Sequence, residues 1–194
     1  MAARLKHPSI EAVVIGTSAG GLEALSKILP AIHHNFPLPI MIVQHIAPNS
    51  DNFLARHLNT LSKIKVKEAE EKETIKPGTA YVAPPNYHLM IEDDHTLTLT
   101  VDEKVNYSRP SIDVLFESAA YAFNGKVIAI VLTGANHDGA AGAALIKKMG
   151  GIIIVQDPAS AQVPVMPEAA IKASNPDYVV PLESIPDLLV NLVK

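Results

Sequence analysis

A chain of 194 residues with 48% apolar and 19% charged side chains can bury a sizeable core, which excludes disorder as a description of the whole. The longest apolar runs, such as Val127–Leu132 and Ile152–Val155, have the length of buried strands and fall well short of a membrane span. The balance of 16 basic to 20 acidic residues, without a Lys/Arg cluster beyond the mixed stretch Lys63–Lys72, argues against nucleic acid as the main partner. Cysteine is absent, so disulfides, thiolate metal sites and cysteine nucleophiles are excluded together, in keeping with a cytoplasmic protein. Met1–Ser9 carries basic residues with no apolar segment behind them, and no secretory signal is read there.

In chain order, the first strand is read over Glu11–Gly16, where Ala12, Val13, Val14 and Ile15 run up to a stop at Gly16. Leu22, Leu25, Ile28 and Leu29 then share one helical face, ended by Pro30. Pro39–Gln44 is a second short apolar run, and Ser50 or Asp51 supplies an N-cap for a helix reaching about Thr60. This opening is β-α-β-α, the rhythm of a parallel sheet covered on both faces.

The middle of the chain changes character. Lys67–Lys72 reads as a solvated face. Thr79–Ala83, His88–Ile91 and Thr96–Val101 are short and β-rich, separated by Pro84-Pro85-Asn86 and Asp93-Asp94, which predicts a meander or hairpin. From Ser111 the α/β alternation resumes. A helix over Ser111–Phe123, a strand over Lys126–Leu132, a helix from Gly139 to Met149 and a strand over Gly151–Val155 are expected. A helix over Pro167–Ala173, a strand near Tyr178–Val180 and a helix over Ser184–Val193 close the chain. The expected architecture is one α/β domain with its core over about residues 11–190. It is a doubly wound, mostly parallel sheet with helices on both faces and a small antiparallel hairpin in the middle of the chain.

Ligands of such sheets bind beyond the carboxyl ends of the strands. The residues directly after each apolar run are therefore the candidates: Gly16-Thr17-Ser18-Ala19-Gly20-Gly21 after the first, Gln44-His45 after the second, and Thr133-Gly134-Ala135-Asn136-His137-Asp138-Gly139 after Lys126–Leu132. Ser18, His45 and Asp138 thus fall on one edge of one sheet as nucleophile, base and orienting carboxylate. Gly20 and Gly21 let the next helix start close to the sheet, its free N–H groups facing a developing oxyanion. Asp138, at the start of the Gly139 helix, is placed to receive N–H bonds and stay ionised. Each residue alone has a plainer reading: a phosphate cradle for the glycine turn, a structural histidine, a helix cap. The glycine turn lacks the Lys-Ser/Thr end of a P-loop and the G-x-G-x-x-G spacing. The Ser…His…Asp order and the absence of G-x-S-x-G disfavour an ordinary α/β-hydrolase.

The segments VVIGTSAGGLEAL, IMIVQHIAP, PGTAYVAPPNYHL, SRPSIDVLFESAA, LTGANHDGAAG and QDPASAQVPVMPEAAI, in this order, resemble the catalytic domain of the chemotaxis protein-glutamate methylesterases, the CheB family. The resemblance runs from about Ala12 to Leu189 and assigns the same nucleophile, base and aspartate: Ser18, His45 and Asp138. It implies hydrolysis of γ-glutamyl methyl esters, and deamidation of glutamines, on the cytoplasmic helices of methylated chemoreceptors, with no metal or organic cofactor. Neither nucleic acid nor membrane insertion enters this reading. The competing one is a non-catalytic module that docks on receptor-type coiled coils or binds a small anion at the Ser18 loop.

Full-length members carry an N-terminal receiver domain that links them to a phosphorelay; without it, this sequence reads either as a stand-alone methylesterase or as the catalytic domain of a longer protein. The resemblance places Thr17 and Ala19 (through their backbone), Ala135, Asn136 and Met166 around the oxyanion and ester, with Arg109 read either near the site or as an exposed arginine by a helix start. Two departures stand out. Ala135-Asn136 replaces the family's Met-Gly, and Val165 replaces a glycine before Met166-Pro167, where a β-branched residue disfavours a positive φ. An altered rim is expected there.

Overall fold

The computed structural model describes residues 9–193. All of the segment read for a secretory signal except Ser9 lies outside the described residues. The elements in chain order are β1 (Ala12–Thr17), α1 (Gly21–Ile28), β2 (Ile40–Gln44), α2 (Phe53–Leu61), β3 (Lys65–Glu68), β4 (Thr79–Val82), β5 (His88–Ile91), β6 (Leu97–Thr100), α3 (Ile112–Ala122), β7 (Val127–Val131), α4 (Ala140–Lys148), β8 (Ile152–Gln156), α5 (Val165–Ser174), β9 (Tyr178–Val180) and α6 (Ile185–Leu192). Seven strands form one sheet in the order β3-β4-β2-β1-β7-β8-β9, every pair parallel, and β5-β6 is a separate antiparallel hairpin.

Alternation along the strands sorts the two cores. Val13, Ile15, Ile40, Ile42, Ile128, Ile130, Ile152 and Ile154 pack with Leu25 and Ile28 of α1, Leu54 and Leu58 of α2, and Ile185 and Leu189 of α6. Val14, Met41, Val43, Ala129, Val131, Ile153 and Val155 pack with Leu115 and Phe116 of α3, Ile146 of α4, Ala170 of α5 and Leu89 of the hairpin. With both faces covered, the central strands read as unbroken β-branched runs rather than alternating ones. This is the expected doubly wound fold, and among the named strands the antiparallel pairing is confined to the hairpin.

Two middle segments differ from their sequence reading. Thr79–Ala83 is no part of a meander: β4 lies between β3 and β2, with Ala80, Tyr81 and Val82 buried. A four-residue run carries no signal that separates an internal parallel strand from a hairpin arm. The charged stretch read as a solvated face overlaps β3, an edge strand in which Val66 alone is fully buried and Lys67 is neutralised by Glu70 and Glu73. Charged edges of this kind block further strand addition.

The chain reverses direction across the sheet at β1, whose two neighbours are β2 and β7. The crevice at the carboxyl ends of these strands is the topological switch point, where ligands of open α/β sheets bind. α3 approaches that edge closely, because a Cβ on Gly16 at the end of β1 would collide with Ile112 Cγ2. Only glycine at this position lets the N-terminus of α3 reach the strand ends.

Candidate active site

The β1–β2 register pairs Thr17 with Gln44, so the next residues, Ser18 and His45, emerge side by side from adjacent strands. Strand spacing is about 4.8 Å. The ladder extends past the strand ends: His45 N–H donates to Thr17 O at 3.1 Å and Ser18 N–H to Thr133 O at 3.0 Å. Thr17 and Gln44 point to the α1 face, where both would meet a Cβ on Gly21. Alternation therefore returns Ser18 to the α3 face, and its Cβ lies 3.0 Å from where a Cβ on Gly134 would sit. Ser18 and His45 are half-buried, and Ser18 Oγ has no hydrogen-bond partner among the described residues.

His45 Nε2 meets Asp138 Oδ2 at 2.7 Å, and Nδ1 has no hydrogen-bond partner among the described residues. Asp138 is fully buried. Its Oδ2 also accepts from Ile112 N–H at 2.6 Å. Its Oδ1 accepts from Asn106 Nδ2 at 2.8 Å, Ser111 Oγ at 2.8 Å and Asp113 N–H at 3.1 Å. Burial pushes this carboxyl up, but the hydrogen bonds from His45, Asn106, Ile112 and Asp113 together hold it below the ordinary aspartate value.

These bonds correct one expectation. The amides that receive Asp138 belong to the N-terminus of α3, not to the helix that Asp138 itself precedes. α4 is served in exchange by Asp113, whose Oδ1 accepts from Gly142 N–H at 2.7 Å. Two helix N-termini face one another and trade carboxylate caps, each placing negative charge at a positive dipole end. Burial dominates at Asp113 and raises its carboxyl, an effect increased by the charge of Asp138.

Gln44 organises the other half of the site. Its Nε2 donates to Ser18 O and to His45 O, both at 2.9 Å, so one amide fixes the backbone of the candidate nucleophile and base together. Its Oε1 is buried without a partner and lies against Gly21. The opposite orientation would set Oε1 against two carbonyl oxygens. From sequence, Gln44 reads only as the end of a strand. Its adjacency to His45 is visible there, but the reach to Ser18 depends on strand pairing.

Thr17 is buried, with Oγ1 bonded to Thr133 O at 2.9 Å, and its carbonyl accepts from His45 N–H. Ala19 is exposed, and its carbonyl accepts from Thr133 Oγ1 at 2.8 Å. Gly21 N–H is already bonded to Ser18 O. Among the described residues, the backbone N–H groups of Ala19, Gly20 and Ala135 have no acceptor, and Gly134, which precedes Ala135, lies close to Ser18 Cβ. Asn136 Oδ1 accepts from Asp138 N–H at 3.1 Å and so shapes the aspartate loop. Met166, almost fully buried, seals Gly134, where an added Cβ would come within 2.6 Å of its Cε.

Val165 opens α5 and is not among the residues with positive φ, so the strain expected from a β-branched residue does not arise. His137 is exposed and takes no part in the carboxylate cluster. Among the described residues, no three His, Asp or Glu side chains gather in a metal-holding group. On the α1 side of the β2 end, a cavity of about 260 Å³ is lined by Leu22, Gln44, Ile46, Ser50, Asp51, Phe53 and Leu54, with Leu22 and Phe53 exposed.

Arg109 is half-buried, not exposed, and its guanidinium is bonded within the fold. Its guanidinium donates to Val101 O at 2.7 Å, Asp102 O at 2.8 Å and, through Nε and Nη2, to Asn86 Oδ1 at 3.2 and 2.8 Å. Arg109→Ala is therefore expected to lower stability by about 2 kcal/mol, readable in urea unfolding, while KM for a protein substrate stays unchanged. A raised KM at unchanged stability would return Arg109 to the binding surface.

The model of the CheB methylesterase family matches residues 13–189. A relative from Leptospira interrogans is 54% identical over 182 residues, 94% of each chain. The protein-glutamate methylesterase/protein-glutamine glutaminase of Thermotoga maritima is 40% identical over 184 residues, 93% of this chain and 54% of the longer one. The crystal structure of the Thermotoga maritima CheB methylesterase catalytic domain superposes with a TM-score of 0.91 at 39% identity, covering 96% of this chain and 100% of that one. With the family model spanning most of the sequence and the fold shared throughout, the chain belongs to the CheB methylesterase family.

Proposed function

We propose that this protein hydrolyses γ-glutamyl methyl esters on the cytoplasmic helices of chemoreceptors, with Ser18 as nucleophile, His45 as general base and Asp138 as the group that orients it. The observation that carries the proposal is the 2.7 Å His45–Asp138 bond at the switch point, beside a serine whose hydroxyl is free. His45 Nδ1 takes the Ser18 proton as Oγ adds to the ester carbonyl. The oxyanion faces the free amides of Ala19, Gly20 and Ala135. Collapse returns the proton to the departing methoxide, giving methanol and a glutamyl-serine ester. Water, deprotonated by the same imidazole, then releases the glutamate carboxylate and restores Ser18. A glutamine substrate would take the same path with loss of ammonia. Buried Asp138 keeps the imidazole in the tautomer that leaves Nδ1 unprotonated.

The cavity with exposed Leu22 and Phe53 and with Ser50 and Asp51 in its lining suits the mixed apolar and polar side chains of a substrate helix crossing the β2 end. Relatives named protein-glutamate methylesterase/protein-glutamine glutaminase support the reaction and the substrate class. A receptor substrate of this type places the protein in the cytoplasm, in keeping with the lack of cysteine; among the described residues no helix is long and apolar enough to cross a membrane.

The test is methanol release from enzymatically methylated chemoreceptor cytoplasmic fragments, before and after treatment with a fluorophosphonate. Release that the reagent abolishes, in step with labelling of one serine, is the expected result. A folded protein that releases no methanol from several receptor fragments and takes up no label would overturn it.

A further inference from the structure

Asn106 sits at the first corner of a two-residue turn closed on both sides by backbone bonds, Ser108 N–H to Val105 O at 2.9 Å and Val105 N–H to Ser108 O at 3.2 Å. Asn106 and Tyr107 both have positive φ, 52° and 62°, the signature of a type I′ turn. Asparagine tolerates this conformation. Its side chain reaches inward from the surface: Nδ2 donates to Asp138 Oδ1 and to Asp113 Oδ2, both at 2.8 Å. One amide group thus spends a hydrogen on each of two neighbouring carboxylates.

The other partners of Asp138 are of two kinds. Ser111, Ile112 and Asp113 come with the N-terminus of α3, and His45 is the group to be oriented. Among the described residues, Asn106 alone reaches the Asp138 carboxylate from a surface turn, and of the Asp138 donors it alone also bonds to Asp113. Without its amide, the Asp113 and Asp138 carboxylates would repel each other with one donor fewer to share. The plane of the Asp138 carboxylate, and with it the imidazole, would be less firmly set.

We infer that Asn106 is a positioning residue for the hydrolytic reaction, acting through Asp138 on His45, in the manner of outer-sphere partners whose loss costs about 10–100-fold. This rests on the proposed serine hydrolase reading. The experiment compares wild type with Asn106→Gly, which keeps the turn but removes the amide, and Asn106→Asp, which keeps the shape but adds a third carboxylate. Tyr107→Gly is the control, because Tyr107 is 98% exposed and its substitution loosens the same turn without touching either acid. Two readouts are taken on each: kcat and KM for methanol release, and the second-order rate of fluorophosphonate labelling of Ser18, which needs no receptor.

The expected result is a kcat lowered about 10-fold in Asn106→Gly and about 100-fold in Asn106→Asp, with KM unchanged and labelling slowed in parallel. Tyr107→Gly keeps wild-type kcat and labelling. An unchanged kcat and labelling rate in Asn106→Gly would overturn the assignment. So would an equal loss in Tyr107→Gly, which would point to turn rigidity, or a raised KM at constant kcat, which would make Asn106 a substrate contact. If wild type releases no methanol yet is labelled, the substrate reading fails while the labelling series still decides the role of Asn106.

Discussion

Ser18→Ala is expected to lower methanol release from a methylated receptor fragment about a million-fold while leaving the fold intact, because removing a nucleophile eliminates the covalent path and spares only oxyanion stabilisation and binding. The stability half of this expectation comes from the contacts. Ser18 Oγ has no partner among the described residues, and the loop around it is held by backbone: Ser18 N–H on Thr133 O, Gly21 N–H on Ser18 O, and Gln44 Nε2 on Ser18 O. Deleting one hydroxyl should shift unfolding by no more than about 0.5 kcal/mol, measured by urea titration. A second variant tests activation directly. The chain has no cysteine, so Ser18→Cys introduces a unique thiol. Its alkylation by iodoacetamide should slow when His45→Ala is added, because the thiolate is then no longer supported by the imidazole. If Ser18→Ala retains a tenth or more of wild-type release, water would have to attack directly and the acyl-enzyme scheme would fall.

The three residues of this scheme are legible in the sequence because each comes after an unbroken apolar run, and a run of that kind marks a strand whose carboxyl end lies at the ligand edge. Ile40–Val43 leads to His45 and Val127–Leu132 to the Asp138 loop, with no long-range information needed. The features that stay hidden depend on contacts between segments far apart in the chain. β3 escapes notice because an edge strand with only Val66 fully buried leaves no apolar period to detect. Gln44 looks like any polar strand end until pairing with β1 brings Ser18 O to its amide. Arg109 reads as a surface charge unless Asn86 and the Val101–Asp102 carbonyls are known to surround it. The Asp138 cap is legible in kind but assigned to the wrong helix, because sequence places Asp138 next to α4 and the fold places it at the N-terminus of α3. The φ argument for strain at Val165 fails once α5 is seen to start there.

Asp138→Asn should cost both activity and stability, and the two losses should separate with pH. An asparagine has the same outline but must turn an NH₂ toward a site where five donors converge: His45 Nε2, Ile112 N–H, Asp113 N–H, Asn106 Nδ2 and Ser111 Oγ. The Ser111 hydroxyl can reverse its role, and the imidazole can do so by changing tautomer; the amides cannot. The imidazole loses the acceptor that fixes its tautomer, so kcat should fall about ten-thousand-fold at neutral pH. The buried N-terminus of α3 loses its countercharge, and stability should drop by about 3 kcal/mol. Hydrogen bonds outweigh burial at Asp138 and hold its folded pKa below the ordinary value, so its stabilising contribution is complete above the unfolded aspartate pKa of about 3.9 and is lost as pH falls through the lower folded value. Wild type and variant should therefore converge in stability as the pH is lowered below about 4 and stay far apart at pH 7. Asp113 runs the other way. Burial raises its carboxyl in the folded state, so protonating it on the way down in pH favours folding and cannot produce that convergence. Urea unfolding of both proteins from pH 7 to pH 3 decides between these behaviours. A gap that stays constant across the range would mean that the variant suffers from altered packing, and that the ionised carboxylate is not what holds α3 and His45 in place.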